Sequence, residues 1–155
     1  MKSSNVLIDA CGTAKLTDFG CFKSLEKFVE TNNQEYRKSP IPNKSAVYWT
    51  APEVLMKKSQ GKPADIWGVG CVVIEMLTNS PPWGSLNLSL DLISKQIMSG
   101  VMPPLPSTVS EECQDFLNQV FRFRPEDRPT AFELLDHPFI RGNISYCSYT
   151  LTNVS

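Results

Sequence analysis

The sequence predicts a mainly α-helical domain, α+β overall, with one small β-hairpin at its N-terminal end. Apolar residues recur at helical spacing through the second half, most clearly Cys113, Phe116, Leu117, Val120 and Phe121, which follow the i, i+3, i+4, i+7, i+8 rule. Helix punctuation flanks these runs: Pro63 in a first turn, Ser110 as a cap ahead of Glu111 and Glu112, and Thr130 with Glu133 as a capping box. Only residues 5–20 read in the period of strands, with Val6, Leu7 and Ile8, the breaker-like ACGT, then AKLTDFG.

Beyond the hairpin, residues 21–46 carry no sustained periodicity, and TNNQEYRKSPIPNKS accumulates Ser, Asn, Lys and Pro. Unstructured stretches of that length are usually functional or disordered. PADIWGVGCVVIEMLTN then reads as a helix of 17 residues, about 25 Å long at the standard rise, stopped by SPPW. Its window IWGVGCVVI has nine uncharged residues between Asp65 and Glu75, well short of the roughly 20 that span a membrane. It reads instead as a helix buried on all sides, with Trp67, Cys71 and Met76 in the core. Leu88, Leu92, Ile93 and Ile97 outline a short amphipathic helix that ends near Gly100, followed by the loop VMPPLPST. The Ser110 helix comes next, and then a last helix from Thr130 through Leu135 that stops at His137-Pro138. His137, the only histidine, reads as a helix-end packing residue and not as a catalyst. Residues 142–155 form a polar tail that frays.

A chain of 155 residues fits one domain with a substantial core. Its 41% hydrophobic and 20% charged residues and formal charge of -1 describe a globular protein and make nucleic acid an unlikely electrostatic partner. The five cysteines are dispersed and form no C-x-x-C pair, as expected of reduced thiols in a cytoplasmic protein. No basic-then-apolar leader pattern opens the chain, no membrane partner is expected, and the sequons at Asn87, Asn143 and Asn153 read as chance matches.

Asp18-Phe19-Gly20 at a strand end is a weak signal alone, but its neighbours strengthen it. Asn5 closes a K-x-x-N begun by Lys2, thirteen residues upstream of Asp18. Ala51-Pro52-Glu53 follows, then Asp65-Ile66-Trp67-Gly68, with Asp65 twelve residues past Glu53, then Arg128-Pro129. Magnesium is a hard cation that takes one or two protein oxygens together with phosphate and water. A carboxylate at Asp18 and an amide oxygen at Asn5, joined by a tight hairpin, suit that ion. Singly, each residue has a plainer reading: Asp18 as a turn former, Asn5 as a cap, Lys2 as a solvated terminal side chain.

In this order and spacing the motifs resemble the C-terminal lobe of the eukaryotic protein kinase domain. The resemblance covers residues 1–141: a catalytic-loop remnant, an activation segment at 18–53 and a helical lobe at 54–141. It implies a fold without the nucleotide-covering N-lobe, the cofactors ATP and Mg2+ with Asn5 and Asp18 as metal ligands, and Lys2 as a point charge near the transferred phosphate. It also implies a protein substrate. Phe19 and Gly20 enter the activation segment, where Gly20 supplies backbone freedom. Ser24, Thr31, Ser39 and Ser45 are candidate phosphoacceptors, since a phosphate adds about -1.5 to -2 charges that an arginine can capture. Glu53 and Arg128 are expected to form a buried ion pair, and Asp65 to hold the catalytic-loop backbone from the start of the central helix.

GKPADIWGVGCVVIEMLTNSPPW, MPPLP and DFLNQVFRFRPEDRPTAFELLDHPFI are most similar to MAP kinase kinase kinases, which phosphorylate serine or threonine on other kinases. W-T-A-P-E alone is similar to tyrosine kinases, but K-x-x-N and GCVVIEM resemble the serine/threonine side. One departure concerns G-T-x-Y-W, whose threonine contacts the catalytic aspartate and lysine in relatives. Ser45-Ala46 stands there, so that contact falls either to Ser45, one residue away, or to no hydroxyl at all. No G-x-G-x-x-G occurs in these residues. In H-R-D-x-x-x-x-N the base aspartate would lie immediately before Met1, which makes Met1 the expected interior of a catalytic motif. Two expectations follow: a serine/threonine kinase whose 155-residue part is inactive alone, or a non-catalytic kinase-like binding module.

Overall fold

The structure, a computed structural model, describes residues 1–17, 44–58 and 61–142. The expectations for Asp18, Phe19, Gly20, Ser24, Thr31, Ser39 and the residues 143–155 lie outside these. A 3-10 turn at Ser3–Asn5 leads into β1 (Val6–Ile8), which pairs antiparallel with β2 (Ala14–Leu16) in the register Val6↔Leu16, Leu7↔Lys15, Ile8↔Ala14. Asp9 organises the connection. One carboxylate oxygen accepts the N–H groups of Cys11 and Thr13, both at 2.9 Å, and the other pairs with Lys15 at 3.0 Å. Gly12, at φ +79, takes the left-handed position that this turn requires. The Thr13 N–H first, and Lys15 second, hold the Asp9 carboxyl below the usual carboxylate range.

The helical part begins with a 3-10 turn at Lys44–Trp49 and continues through α1 (Pro52–Leu55), α2 (Lys62–Thr78), α3 (Leu90–Met98), α4 (Glu111–Val120), α5 (Ala131–Leu134) and α6 (Pro138–Arg141). The protein is therefore mainly α with one two-stranded antiparallel sheet among the described residues. Pro63 sits in the first turn of α2, and Asn79 ends it in the left-handed conformation at φ 51, its N–H bonded to the Glu75 carbonyl at 2.8 Å. Ser110 accepts from the Cys113 N–H at the start of α4, and Thr130 and Glu133 form both halves of the capping box on α5.

The core gathers around α2. Trp67, Cys71 and Ile74 pack with Phe116, Leu117 and Val120 of α4 and with Ile93 and Ile97 of α3. Close approach depends on Gly70, where an added Cβ would lie 2.6 Å from Val120 Cγ2 and 2.8 Å from the Phe121 ring. The Trp67 and Phe121 rings meet edge to face at 4.9 Å.

Three sequence expectations are corrected. Met76 is 72% exposed and not core: it shares the Val69 and Val72 face of α2, which is only half-buried, while the fully covered face runs through Trp67, Cys71 and Ile74. Leu92 is 46% exposed, because the face of α3 that meets the core is set by Ile93 and Ile97 four residues apart; Leu88 precedes the Ser89 cap, outside the helix. His137 does not follow a last helix but starts a further one. Its Nδ1 accepts from the Phe139 N–H at 3.2 Å, capping α6 ahead of Pro138. Among the described residues no helix is long and apolar enough to cross a membrane.

Candidate functional site

Of the residues singled out at the N-terminal end, Lys2 and Asn5 stand just ahead of β1. Asn5 donates its N–H to the Lys2 carbonyl at 3.0 Å, and its own carbonyl accepts the Thr17 N–H at 2.9 Å and the Thr17 hydroxyl at 3.5 Å. The strand ladder thus continues one step beyond Val6↔Leu16 and sets Asn5 beside the residue that precedes Asp18. The side-chain amide of Asn5 makes no hydrogen bond among the described residues, which leaves a hard oxygen donor for a cation and fits a magnesium ligand. Asp18 lies outside the described residues. Lys2 is half-buried in extended backbone and forms no ion pair among the described residues.

Helix α2 carries this segment on its N-terminal half. The Met1 backbone nitrogen lies 3.9 Å from Asp65, whose carboxylate is mostly exposed. A Cβ on Gly68 would fall 2.9 Å from three Met1 atoms, so the chain rests directly on the helix there. One helical stretch further on, Glu75 accepts three donors: the Ser3 hydroxyl at 2.9 Å, the Ser3 N–H at 3.3 Å and the Trp49 indole N–H at 2.7 Å. The sequence analysis did not single out Glu75, Ser3 or Trp49. The one available signal was a carboxylate ending an apolar run, and that reads equally well as a helix simply reaching water.

The Lys44–Trp49 turn closes the long segment that follows Asp18. Ala46 offers no hydroxyl, and its carbonyl accepts from the Thr50 hydroxyl at 2.7 Å. Ser45 lies in the same turn, and its side chain is outside what is described. Cys71 reaches the Tyr48 carbonyl with its sulfur at 3.7 Å. Full burial pushes that thiol far above its ordinary pKa, so it acts as a neutral donor.

Behind the turn, Arg128 and Glu53 form a bidentate pair with both N···O distances at 2.8 Å and both side chains almost wholly buried. The guanidinium also donates to the carbonyls of Arg122 at 2.8 Å, Pro63 at 2.8 Å and Phe123 at 3.2 Å. Its five N–H groups all find acceptors, and its plane lies 5.1 Å over the Trp67 ring. One side chain thereby joins α1, the start of α2 and the segment after α4. His137, buried against Phe116, directs Nε2 at Asp115 from 3.1 Å while Nδ1 caps α6. One ring nitrogen thus caps the start of α6 and the other meets the middle of α4, where the Gln119 amide also lies 3.2 Å away.

The protein kinase domain family matches residues 1–140 of this chain. The chain belongs to the protein kinase family. Its relatives include the mitogen-activated protein kinase kinase kinase A of Dictyostelium discoideum, 40% identical over 140 residues. They also include the mitogen-activated protein kinase kinase kinases 2 and 17 of Arabidopsis thaliana, 37% identical over 142 residues and 40% over 143. The alignments take in 90%, 92% and 90% of this chain but 14%, 21% and 36% of those relatives. The chain thus spans well under half the length of each. These are kinases of the kind that the motifs resemble.

Proposed function

We propose that the chain is the C-terminal lobe of a cytoplasmic protein serine/threonine kinase that transfers a phosphoryl group from ATP to a protein substrate, other kinases among them. Asn5 and Asp18 hold magnesium, and Lys2 neutralises charge at the transferred phosphate. The observation that supports the reading is the pairing of Asn5 with Thr17, which puts an amide with no hydrogen bond among the described residues beside the residue before Asp18. Magnesium supplies charge neutralisation and alignment of the phosphates when bound. The protein's part is to hold the Asn5 amide immediately ahead of β1, on a segment that rests on α2.

The test is transfer of labelled phosphate from ATP to serine or threonine of a protein substrate by the full-length protein. Transfer that disappears in Asn5→Ala and Asp18→Asn supports the reading; transfer undiminished in both variants overturns it. The 155-residue chain alone is expected to be inactive, because no G-x-G-x-x-G lies within it to cover the phosphates. That same observation favours a second reading, a kinase-like binding module without chemistry, and clear transfer by the isolated chain excludes it. Regulation through phosphate on Ser24, Thr31, Ser39 or Ser45 belongs to the first reading. Mass spectrometry that finds residues 21–50 unmodified in cells counts against it.

A further inference from the structure

The buried Arg128–Glu53 pair lies beneath a basic face. On one side, Lys58 gives its N–H to the Glu53 carbonyl at 2.9 Å and Arg128 bonds the Pro63 carbonyl at 2.8 Å, which sets Lys58 and Lys62 at the passage from α1 to α2. On the other, Arg128 holds the carbonyls of Arg122 and Phe123, and the Pro125–Asp127 turn packs against α2. Lys57, Lys58, Lys62, Arg122 and Arg124 are all exposed. Their acidic neighbours are Glu126 and Asp127, which turn to Arg124 at 2.8 and 3.7 Å, and Asp65, which faces the Met1 nitrogen. In a chain of formal net charge -1 this is a local excess of positive charge.

The face also has a shape. Arg122, Phe123, Arg124 and Asp127 line an open concavity of about 540 Å³. The Phe123 ring, 41% exposed, stands against Gly100, where an added Cβ would lie 3.4 Å from it. We propose that this face docks an acidic peptide segment of a partner protein, with carboxylates on Arg122 and the lysines and an apolar side chain on Phe123. The inference does not depend on phosphoryl transfer.

Charge sets the sign of the occupant: carboxylates are drawn in and lysine-rich segments repelled, over a range of about 8 Å at physiological ionic strength. An arginine pair around an exposed aromatic ring is the composition that interface centres favour. Rigidity lowers the cost of binding, because the Arg122–Asp127 segment is already ordered. The buried guanidinium holds two of its carbonyls, and Arg122 Nη1 holds the Asp127 carbonyl at 2.8 Å. A guanidinium has five N–H donors, and that bond takes one of them. Glu126 and Asp127 at the lip oppose a continuous phosphate backbone, whereas a peptide can set an apolar residue beside them. A peptide that alternates acidic and apolar side chains therefore fits better than a nucleic acid.

The test is fluorescence anisotropy of a short labelled peptide of alternating glutamate and leucine, titrated with the full chain. A lysine–leucine peptide, a glutamate–serine peptide and a short single-stranded RNA are titrated for comparison. Binding of the glutamate–leucine peptide should saturate and weaken as salt is raised. Arg122→Gln combined with Lys62→Gln should weaken it about tenfold, and Phe123→Ser about fivefold. Lys15→Gln, which removes a charge from the hairpin, should leave it unchanged. Should the Arg122 variant fail to fold, Lys58→Gln with Lys62→Gln takes its place, with about fivefold weakening expected. No saturable binding up to about 1 mM overturns the inference, as does equal or tighter binding of the lysine–leucine peptide or the RNA. A glutamate–serine peptide bound as tightly as the glutamate–leucine one removes Phe123 from the site and overturns it too. Equal losses in Lys15→Gln and in the face variants would reduce the effect to net charge and overturn the assignment of the face.

Discussion

The two ends of this protein are built on opposite terms. Around α2 and α4, Trp67, Phe116, Leu117 and Val120 are sealed from water, and the buried Arg128 guanidinium has all its donors matched. The hairpin β1–β2 buries none of its strand residues. Leu7, Ile8 and Leu16 stand 55%, 65% and 55% exposed, and its order comes from the Asp9 turn and from Asn5–Thr17. Stability in the first region is a matter of packing and charge compensation; in the second it is local hydrogen bonding. Lys2 and Asn5, proposed for the chemistry, stand at the edge of the weaker structure, and the stronger one serves as its base.

That contrast breaks most readily at Arg128. Arg128→Leu strands the Glu53 carboxylate in the core and should cost about 3 to 5 kcal/mol in denaturant unfolding; a loss below about 1 kcal/mol would show the pair to be peripheral. Gly70→Ala drives a methyl into Val120 and Phe121 and should cost about 1 to 3 kcal/mol by overpacking. Thr130→Ala removes half of the capping box on α5 and should cost about 1 kcal/mol. At the other end, Leu7→Ala and Ile8→Thr should each change stability by less than about 0.5 kcal/mol in denaturant unfolding. A large loss there would mean that the hairpin belongs to the core after all.

The smallest effect is in pH. The Asp9 carboxyl titrates below its unfolded value, so its contribution is complete above the ordinary carboxylate range and disappears as pH falls through the lower, folded value. Protection of the Cys11 and Thr13 amides relative to their intrinsic exchange rates should fall in that acid window, and in Asp9→Asn that fall should be absent. Protection that stays constant across the window would remove Asp9 from the turn's account.

Much of the fold was readable where one local rule was enough. The Ser110 cap, the Thr130–Glu133 box, the α4 stripe and the start of α2 near Pro63 are all set by residues within a few positions of each other, and the structure has them. Met76 and Leu92 went wrong because periodicity names a face without naming its neighbour: an apolar side chain at the right spacing is core only if another element arrives to cover it. His137 was read as packing alone since a cap by its ring nitrogen depends on the turn that follows. Asn5 and Asp18 were singled out from motif spacing. Glu75 was not, because its partners Ser3 and Trp49 stand 72 and 26 residues away.

By itself, then, the sequence determined the helix starts and stops, the hairpin and the kinase family, since each is encoded in short-range chemistry or in ordered motifs. Tertiary structure decided which apolar faces are buried, how Arg128 distributes five hydrogen bonds over three segments, and that Glu75 joins two distant turns. These depend on distances between elements, and only packing around α2 brings those elements within the few ångströms over which hydrogen bonds and close contacts act.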